Sequence, residues 1–401
     1  MMRGIGKFIC ILFIVTVLFA SFSGCVTKQK LVYPSSSSSS LNSDSTGQEH
    51  QAEYSETSQS SIETDAEDDK LKIDIQPAEK LELELVKYNG GFFSIDLPSN
   101  WVIETTGEYQ NFGFHAYDPQ NTDRSIFFYG NMRYFMKSEE GKAAWQTYMQ
   151  FGGYSDAAVY ADAPVLNPAT TEQFFNTFDE YTVYAAKYGI SHNFPEFENL
   201  QVLEKTPRNS PISSNCIEDS ILRVIFDSES GPCEGLFAAG VSNTMTAYMY
   251  NADAGYYTVY VITGISAPAD EFIHLQETLT KSIGSFSFTS SYIQQGVDLI
   301  NQGTQLALDV GQAMSQSAQA YNDAWYNRDK VNDTISQKRS DTTLGYERVY
   351  DSSTGEVYRA EIGFFDEYDS NRDEYSNQGL QRVPDDGYDY YSTPITGYVR
   401  K

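Results

Sequence analysis

Apolar side chains recur along this chain in three ways, and each marks a different kind of segment. The first is an unbroken run over 8–20, between the basic residues Arg3 and Lys7 and the small residues Ser21, Ser23 and Gly24. A basic start, an apolar core and small residues before a cut are the layout of an export signal. A spanning helix needs ~20 apolar residues. This run is shorter, so a cleaved leader over 1–24 is expected, with Cys25 as the first residue of the mature chain.

The second recurrence has a period of two, the signature of strands. Leu81, Leu83, Leu85 and Tyr88 alternate around Glu82 and Glu84. The stretch 88–103 predicts a strand, a tight turn at Pro98-Ser99-Asn100 and a second strand opening on Trp101. Further strands are expected at 112–117 and 125–129. Segments 221–226 and 233–241, joined by Asp227-Ser228-Glu229-Ser230-Gly231-Pro232, predict a hairpin. A buried strand at 256–262 and a short last strand at 285–288 complete this part. Near the C-terminus, 346–350 and 356–360 alternate about a turn in which Gly355 suits a left-handed position.

The third recurrence, steps of three and four, predicts helices. They fall at 138–150, stopped near Gly153, at 171–188, and at 268–282 with Phe272, Leu275, Leu279 and Ile283 on one face. From 292 to 335 there is no proline. There Ile293, Val297, Ile300, Thr304, Ala307, Gly311, Met314, Ala318, Tyr321 and Trp325 form one heptad-like seam. A lone weak seam favours packing on the chain's own sheet over a partner helix or a homodimer. Between leader and first strand, 34–69 is almost wholly Ser, Thr, Gln, Glu and Asp. Such a stretch buries too little to offset chain entropy and reads as a disordered tether.

The expected organisation is therefore a leader over 1–24 and a Ser/acidic tether over 25–70. An α+β domain over 71–289 follows, then a long amphipathic helix over 290–340 and a Tyr/Asp-rich β-hairpin tail over 341–401. Three resemblances bear on it. Phe22-Ser23-Gly24-Cys25 resembles the lipobox of bacterial lipoproteins, with Phe22 where Leu is usual. That resemblance implies a diacylglyceryl group on the Cys25 thiol, cleavage before Cys25 and palmitate-type anchoring at the outer face of the cytoplasmic membrane. The run Phe93-Ser94-Ile95-Asp96-Leu97-Pro98-Ser99-Asn100-Trp101, with the strands and helix over 256–288, is similar to Mog1/PsbP-like domains. These have a central antiparallel sheet flanked by helices and act mostly as binding or assembly factors. On this alignment 153–199 is an insertion. The tail, with Trp325-Tyr326-Asn327-Arg328 and Ile335-Ser336-Gln337-Lys338, resembles the C-terminal region of uncharacterised lipoproteins of Gram-positive bacteria; Arg339 stands where they have Trp.

Composition narrows the partners. Hydrophobic residues make up 40% of the chain and aromatics 14%, enough for a sizeable core. The formal net charge is −28, and loss of Arg3 and Lys7 with the leader makes it more negative. Such a surface repels nucleic acid and anionic head groups, so membrane attachment falls to the lipid on Cys25. One acyl chain gives only marginal binding, which is why two are needed for stable anchoring. Of the four cysteines, Cys10 leaves with the leader and Cys25 is the anchor. Cys216 and Cys233 remain, either as a disulfide or as two separate thiols; spacing alone leaves both open.

Chemical motifs are sparse. The four histidines, His50, His115, His192 and His274, form no paired zinc-ligand spacing, and neither a nucleophile elbow nor a phosphate loop occurs. Asp369-Ser370-Asn371-Arg372-Asp373 has oxygens at alternate positions, but Glu374 replaces the glycine a calcium loop needs and Leu380 its last ligand. No cofactor, metal or catalytic residue is expected. The tail tyrosines, Tyr346 to Tyr398, suit either a glycan or peptide surface or internal packing. The role expected is a lipid-anchored envelope protein acting as a non-catalytic binding or assembly factor for an envelope protein or glycan. An envelope enzyme with carboxylate acid–base chemistry, or a purely structural surface protein, are the alternatives.

Overall fold

In a computed structural model, the described residues are 27–30, 70–78, 81–299, 316, 320–321, 323–325, 330–384 and 386–400. Among these residues the chain is mixed α and β, built on three sheets and a short two-stranded ribbon. β1 (Thr27–Lys30) and β2 (Asp74–Pro77) precede the first domain strands, β3 (Leu85–Asn89), β4 (Phe93–Pro98) and β5 (Val102–Thr106). The turn expected at Pro98-Ser99-Asn100 is present, with Asn100 at φ 67°. It joins two sheets instead of two neighbouring strands. β3 and β4 pair in a small sheet, while β5 enters the large one, and Trp101, 1% exposed, is buried at the crossing.

β6 (Gly113–Asp118) and β7 (Asn121–Met136) follow, β7 running well beyond the expected five residues. α1 (Glu139–Gln150) begins on Ser138, whose side chain accepts from the Gly141 amide at 3.1 Å. The segment 153–199 holds α2 (Ala158–Asp162), α3 (Thr171–Asn176) and α4 (Phe178–Lys187), so the single helix expected there is two, divided at Thr177. β8 (Glu198–Pro207), β9 (Glu218–Ser228) and β10 (Gly231–Met245) come next. The ribbon of β11 (Tyr248–Met249) and β12 (Ala252–Asp253) leads to β13 (Tyr256–Pro268), α5 (Phe272–Gly284) and β14 (Ser287–Phe288).

The large sheet has the order β1-β5-β6-β7-β13-β10-β9-β8, and every neighbouring pair in it is antiparallel. Successive residues face opposite sides of a strand, and both sides are buried here. Phe114, Phe128, Leu236 and Ile265 meet α5 through Phe272, Leu275, Leu279 and Ile283, with β4 adding Phe93, Ile95 and Leu97. On the other face Phe127, Tyr129, Leu222, Phe237 and Ile262 meet α3 and α4 through Phe174, Phe175, Phe178 and Tyr181. Burial on both faces explains why the central strands read as near-continuous apolar runs.

α6 (Ser290–Leu299) begins the segment expected as one long helix; most of 300–329 lies outside the described residues, and with it most of the seam. Ile293 lies in α6, and two residues towards the far end of the seam are placed as well. Tyr321 and Trp325 are buried against the chain's own sheet, and the Tyr321 hydroxyl donates to the Leu236 carbonyl at 2.9 Å.

α7 (Lys330–Thr343), β15 (Tyr346–Asp351), β16 (Val357–Glu361), α8 (Phe364–Tyr368), β17 (Leu380–Arg382), α9 (Tyr388–Ser392) and β18 (Ile395–Arg400) form the C-terminal part. The hairpin of β15 and β16 is as expected, with Gly355 at φ 79°. Its sheet has the order β17-β15-β16-β18-β2. β2 therefore belongs with the tail and not with the domain expected to begin at residue 71. Likewise β1, placed by the sequence in the tether, is an edge strand paired with β5, Thr27 opposite Thr105.

The tail is fastened by buried charge. On the sheet, Arg223 and Glu234 form a fully buried ion pair. Ser340 of α7 donates to Glu234 at 3.0 Å. One residue on, Asp341 meets Arg348 of β15 at 2.6 Å and Arg359 of β16 at 2.8 Å, and Gln337 accepts from Arg348 at 3.1 Å. The Ser336-Gln337 dipeptide singled out in the sequence thus faces the joint between sheet and tail.

Candidate functional site: an aromatic cavity between a helix and a bulged strand

α4 carries Tyr181, Tyr184 and Ala185, with Tyr188 at its C-terminal cap, spaced so that they share one helix face. That face looks onto β7, which supplies Tyr129, Asn131, Met132, Arg133 and Tyr134. A regular strand would not turn Met132, Arg133 and Tyr134 toward one cavity. The register explains it: Tyr257 pairs with Phe135 and Thr258 with Arg133, leaving Tyr134 as an extra residue. Tyr134 adopts φ 71°, a left-handed backbone that is costly for an aromatic residue. Strain of this kind concentrates where a side chain must be aimed. Here it sets the Tyr134 ring at 5.4 Å from Tyr160 and 5.1 Å from Tyr256, centroid to centroid.

Between helix and strand lies a cavity of about 240 Å³. Its floor is buried and largely aromatic, made by Tyr129, Tyr134, Tyr181 and Tyr184 with Met132 and Val159. Its rim is half-buried and partly polar: Thr106, Asn111, Asn131 and Arg133, with Tyr188, Ile190 and Phe194. The phenols are held in place. The Tyr184 hydroxyl donates to the Val159 carbonyl at 3.1 Å, and that of Tyr188 to Asp162 at 2.6 Å. Burial raises the pKa of Tyr134, Tyr181 and Tyr184, so all three stay neutral at physiological pH. At the rim, Asn131 donates to the Gln110 carbonyl at 2.8 Å, and Arg133 reaches the Gln110 side chain at 3.4 Å. Arg133 also lies beside the Tyr134 phenol. Both neighbours are neutral, and among the described residues no carboxylate pairs with Arg133.

Next to the floor is a buried polar group of side chains. The Tyr129 hydroxyl and His192 Nε2 are 3.1 Å apart. His115 Nδ1 donates to the Asn193 carbonyl at 2.8 Å, and the Tyr117 hydroxyl donates to Glu104 at 2.7 Å. His115 Nε2 and His192 Nδ1 have no hydrogen-bond partner among the described residues. Burial lowers the pKa of His115 to about 4 and that of His192 to about 3, although the Glu104 charge works against it in both. Both rings are therefore neutral at pH 7.

Among the described residues the buried carboxylates Glu104, Asp219, Glu234, Asp341 and Asp351 are each held by a hydroxyl or a guanidinium. Burial raises the pKa of Asp179, with Glu196 and Glu198 adding to it, but Asp179 does not line the cavity. Among the described residues no three His, Cys, Asp or Glu side chains come together to hold a metal.

The residues marked in the sequence lie elsewhere. Cys25 is outside the described residues. Cys216 and Cys233 are free thiols, which decides against the disulfide. In the β9–β10 register Cys233 sits opposite Phe226, whereas Cys216 lies beyond Glu218, at the other end of the hairpin. At ~3.3 Å per residue the two are about 25 Å apart, where a bridge needs Cα atoms within ~7 Å. They also lie on opposite faces of the sheet. Tyr358 and Tyr368 pack the tail's own core, and Tyr391 covers Arg348 at 4.6 Å, which supports the packing reading of the tail tyrosines. In the acidic loop, Asp369 binds Arg372 at 2.7 Å.

The cavity residues were not singled out in the sequence. The signal that was present is the tyrosine spacing of Tyr181, Tyr184 and Tyr188, a stripe that helical periodicity places on one face. No comparable signal marks Arg133 or Tyr134, because their role depends on a bulge. No protein-family model matches this chain, and no curated protein matches it either.

Proposed function

We propose that this protein is a lipid-anchored binding protein of the cell envelope, and that the aromatic cavity between β7 and α4 is its ligand site. The cavity is the single observation that carries the reading. A buried aromatic floor with a few polar groups at the rim is the usual make-up of a small-molecule site, and the tied-up carboxylates argue for binding without catalysis. The domain over 81–289 is read as a Mog1/PsbP-like unit, a reading supported by its central antiparallel sheet with helices on both faces. Attachment is assigned to a diacylglyceryl group on Cys25, at the outer face of the cytoplasmic membrane. Support comes from the leader and from the acidity of the chain; among the described residues no helix is long and apolar enough to cross a membrane.

A filled-cavity variant tests the site. Ala185 is 1% exposed and lines the cavity, so Ala185→Leu adds bulk to it without removing a contact. Single-ring compounds screened by ligand-observed NMR are expected to bind the wild-type chain and to lose binding to Ala185→Leu. Compounds that bind both proteins alike would place the ligand elsewhere, and the absence of any binder would remove the reading.

A further inference from the structure

The cavity's size and its one cation narrow the ligand further; this step rests on the binding reading above. A 150 Å³ apolar cavity holds one benzene ring. The present cavity, about 240 Å³, exceeds that by room for roughly three more heavy atoms at ~30 Å³ each. The extra room lies in a site with a polar rim, and that rim contains Arg133. A guanidinium presents a planar fork that matches a carboxylate through two parallel hydrogen bonds. The neighbours of Arg133, the Gln110 side chain and the Tyr134 phenol, leave its charge uncompensated. This matters in a chain with 55 acidic and 27 basic residues, where among the described residues the other buried or half-buried arginines are paired, Arg124, Arg208, Arg223, Arg348 and Arg359 each meeting a carboxylate. The surrounding acidity also disfavours loose anion binding, so an anion held here would be held by geometry.

We infer that the cavity takes a small aromatic carboxylate, its ring against the tyrosine floor and its carboxylate on Arg133. A carboxylate adds three heavy atoms to a ring; a phosphate ester adds five and overfills the space.

The test compares benzoate, its neutral isostere benzamide and phenyl phosphate, by calorimetry and ligand-observed NMR on the full-length chain. Benzoate is expected to bind about tenfold more tightly than benzamide, the scale of one charge-assisted contact. In Arg133→Gln that preference should fall to within about twofold. Retained benzamide binding in the same variant shows that the cavity is still formed. Equal binding of benzoate and benzamide to the wild-type chain overturns the carboxylate while leaving the site as a binder of neutral rings. Tighter binding of phenyl phosphate overturns it in favour of a larger anion. Failure of all three to bind removes the binding site itself, and the carboxylate with it.

Discussion

Asp341 of α7 stands between Arg348 and Arg359, with Arg359 Nη2 2.8 Å from its Oδ1 and Arg348 Nε 2.6 Å from its Oδ2. All three side chains are at most 4% exposed. One carboxylate thus joins the helix to both strands of the tail hairpin. Removing its charge strands two buried cations, which typically costs 3–5 kcal/mol. Asp341→Asn is expected to lower the unfolding free energy by about that much in denaturant titrations. Glu277→Gln, which breaks the exposed pair with Lys281, should change it by less than about 0.5 kcal/mol.

The Arg223–Glu234 pair allows a sharper separation of charge from packing. Both side chains are fully buried within the β9–β10 hairpin. Glu234→Gln alone leaves a buried guanidinium without its countercharge and should destabilise strongly. Replacing both, as Arg223→Met with Glu234→Leu, should recover most of the loss, because an apolar pair needs no desolvation. A double variant as unstable as the single one would show that packing shape, not charge, holds this joint.

Acid should weaken the fold through the two buried histidines. Their folded pKa values, about 4 and about 3, lie below the ordinary value of 6.5. The unfolded chain therefore takes up protons first as pH falls. Stability is whole above pH ~6.5 and declines as pH drops toward 4. For His115 the full effect is on the order of 3 kcal/mol. In His115→Phe the slope of stability against pH between 6.5 and 4 should become shallower, leaving the part due to His192. An unchanged slope would locate the acid sensitivity elsewhere.

The two thiols should be silent in the folded chain. Burial pushes both Cys216 and Cys233 up to about 12, so neither forms the reactive thiolate at neutral pH. In a chain starting after Cys25, thiol titration without reductant is expected to find almost no fast reaction when folded and both thiols on denaturation. Their absence after denaturation would restore the bridge.

Anchoring predicts its own failure mode. Cys25→Ser should appear in the medium or as uncleaved precursor, checked by fractionation and by the mass of the N-terminus. β1 begins at Thr27, so the proposed anchor is two residues from the edge of the large sheet. At ~3.5 Å per residue the sheet edge lies within about 7 Å of the proposed anchor. Insertion of a protease site between Cys25 and Thr27 should therefore be cut poorly in membrane-bound protein.

Local order was legible wherever a residue's neighbours in sequence determine its environment. The helix starting at Ser138, the turn glycine Gly355, the apolar face of α5 and the β9–β10 hairpin are all settled within a few residues, by backbone sterics and by the periods of helix and strand. Sheet membership was not: the turn at Asn100 looks the same whether β4 and β5 pair or part, and β2 finds its partner in β18, at the far end of the chain. The site was not legible either. Tyr134 and Tyr184 line one cavity only because a bulge re-aims one strand residue while a helix crosses above it, and Arg133 stands out only once the other buried arginines among the described residues are seen to be paired. Periodicity records which face a residue lies on. Which faces come together, and which charge is left without a partner, follows from packing between distant segments, and the tertiary structure alone decides that.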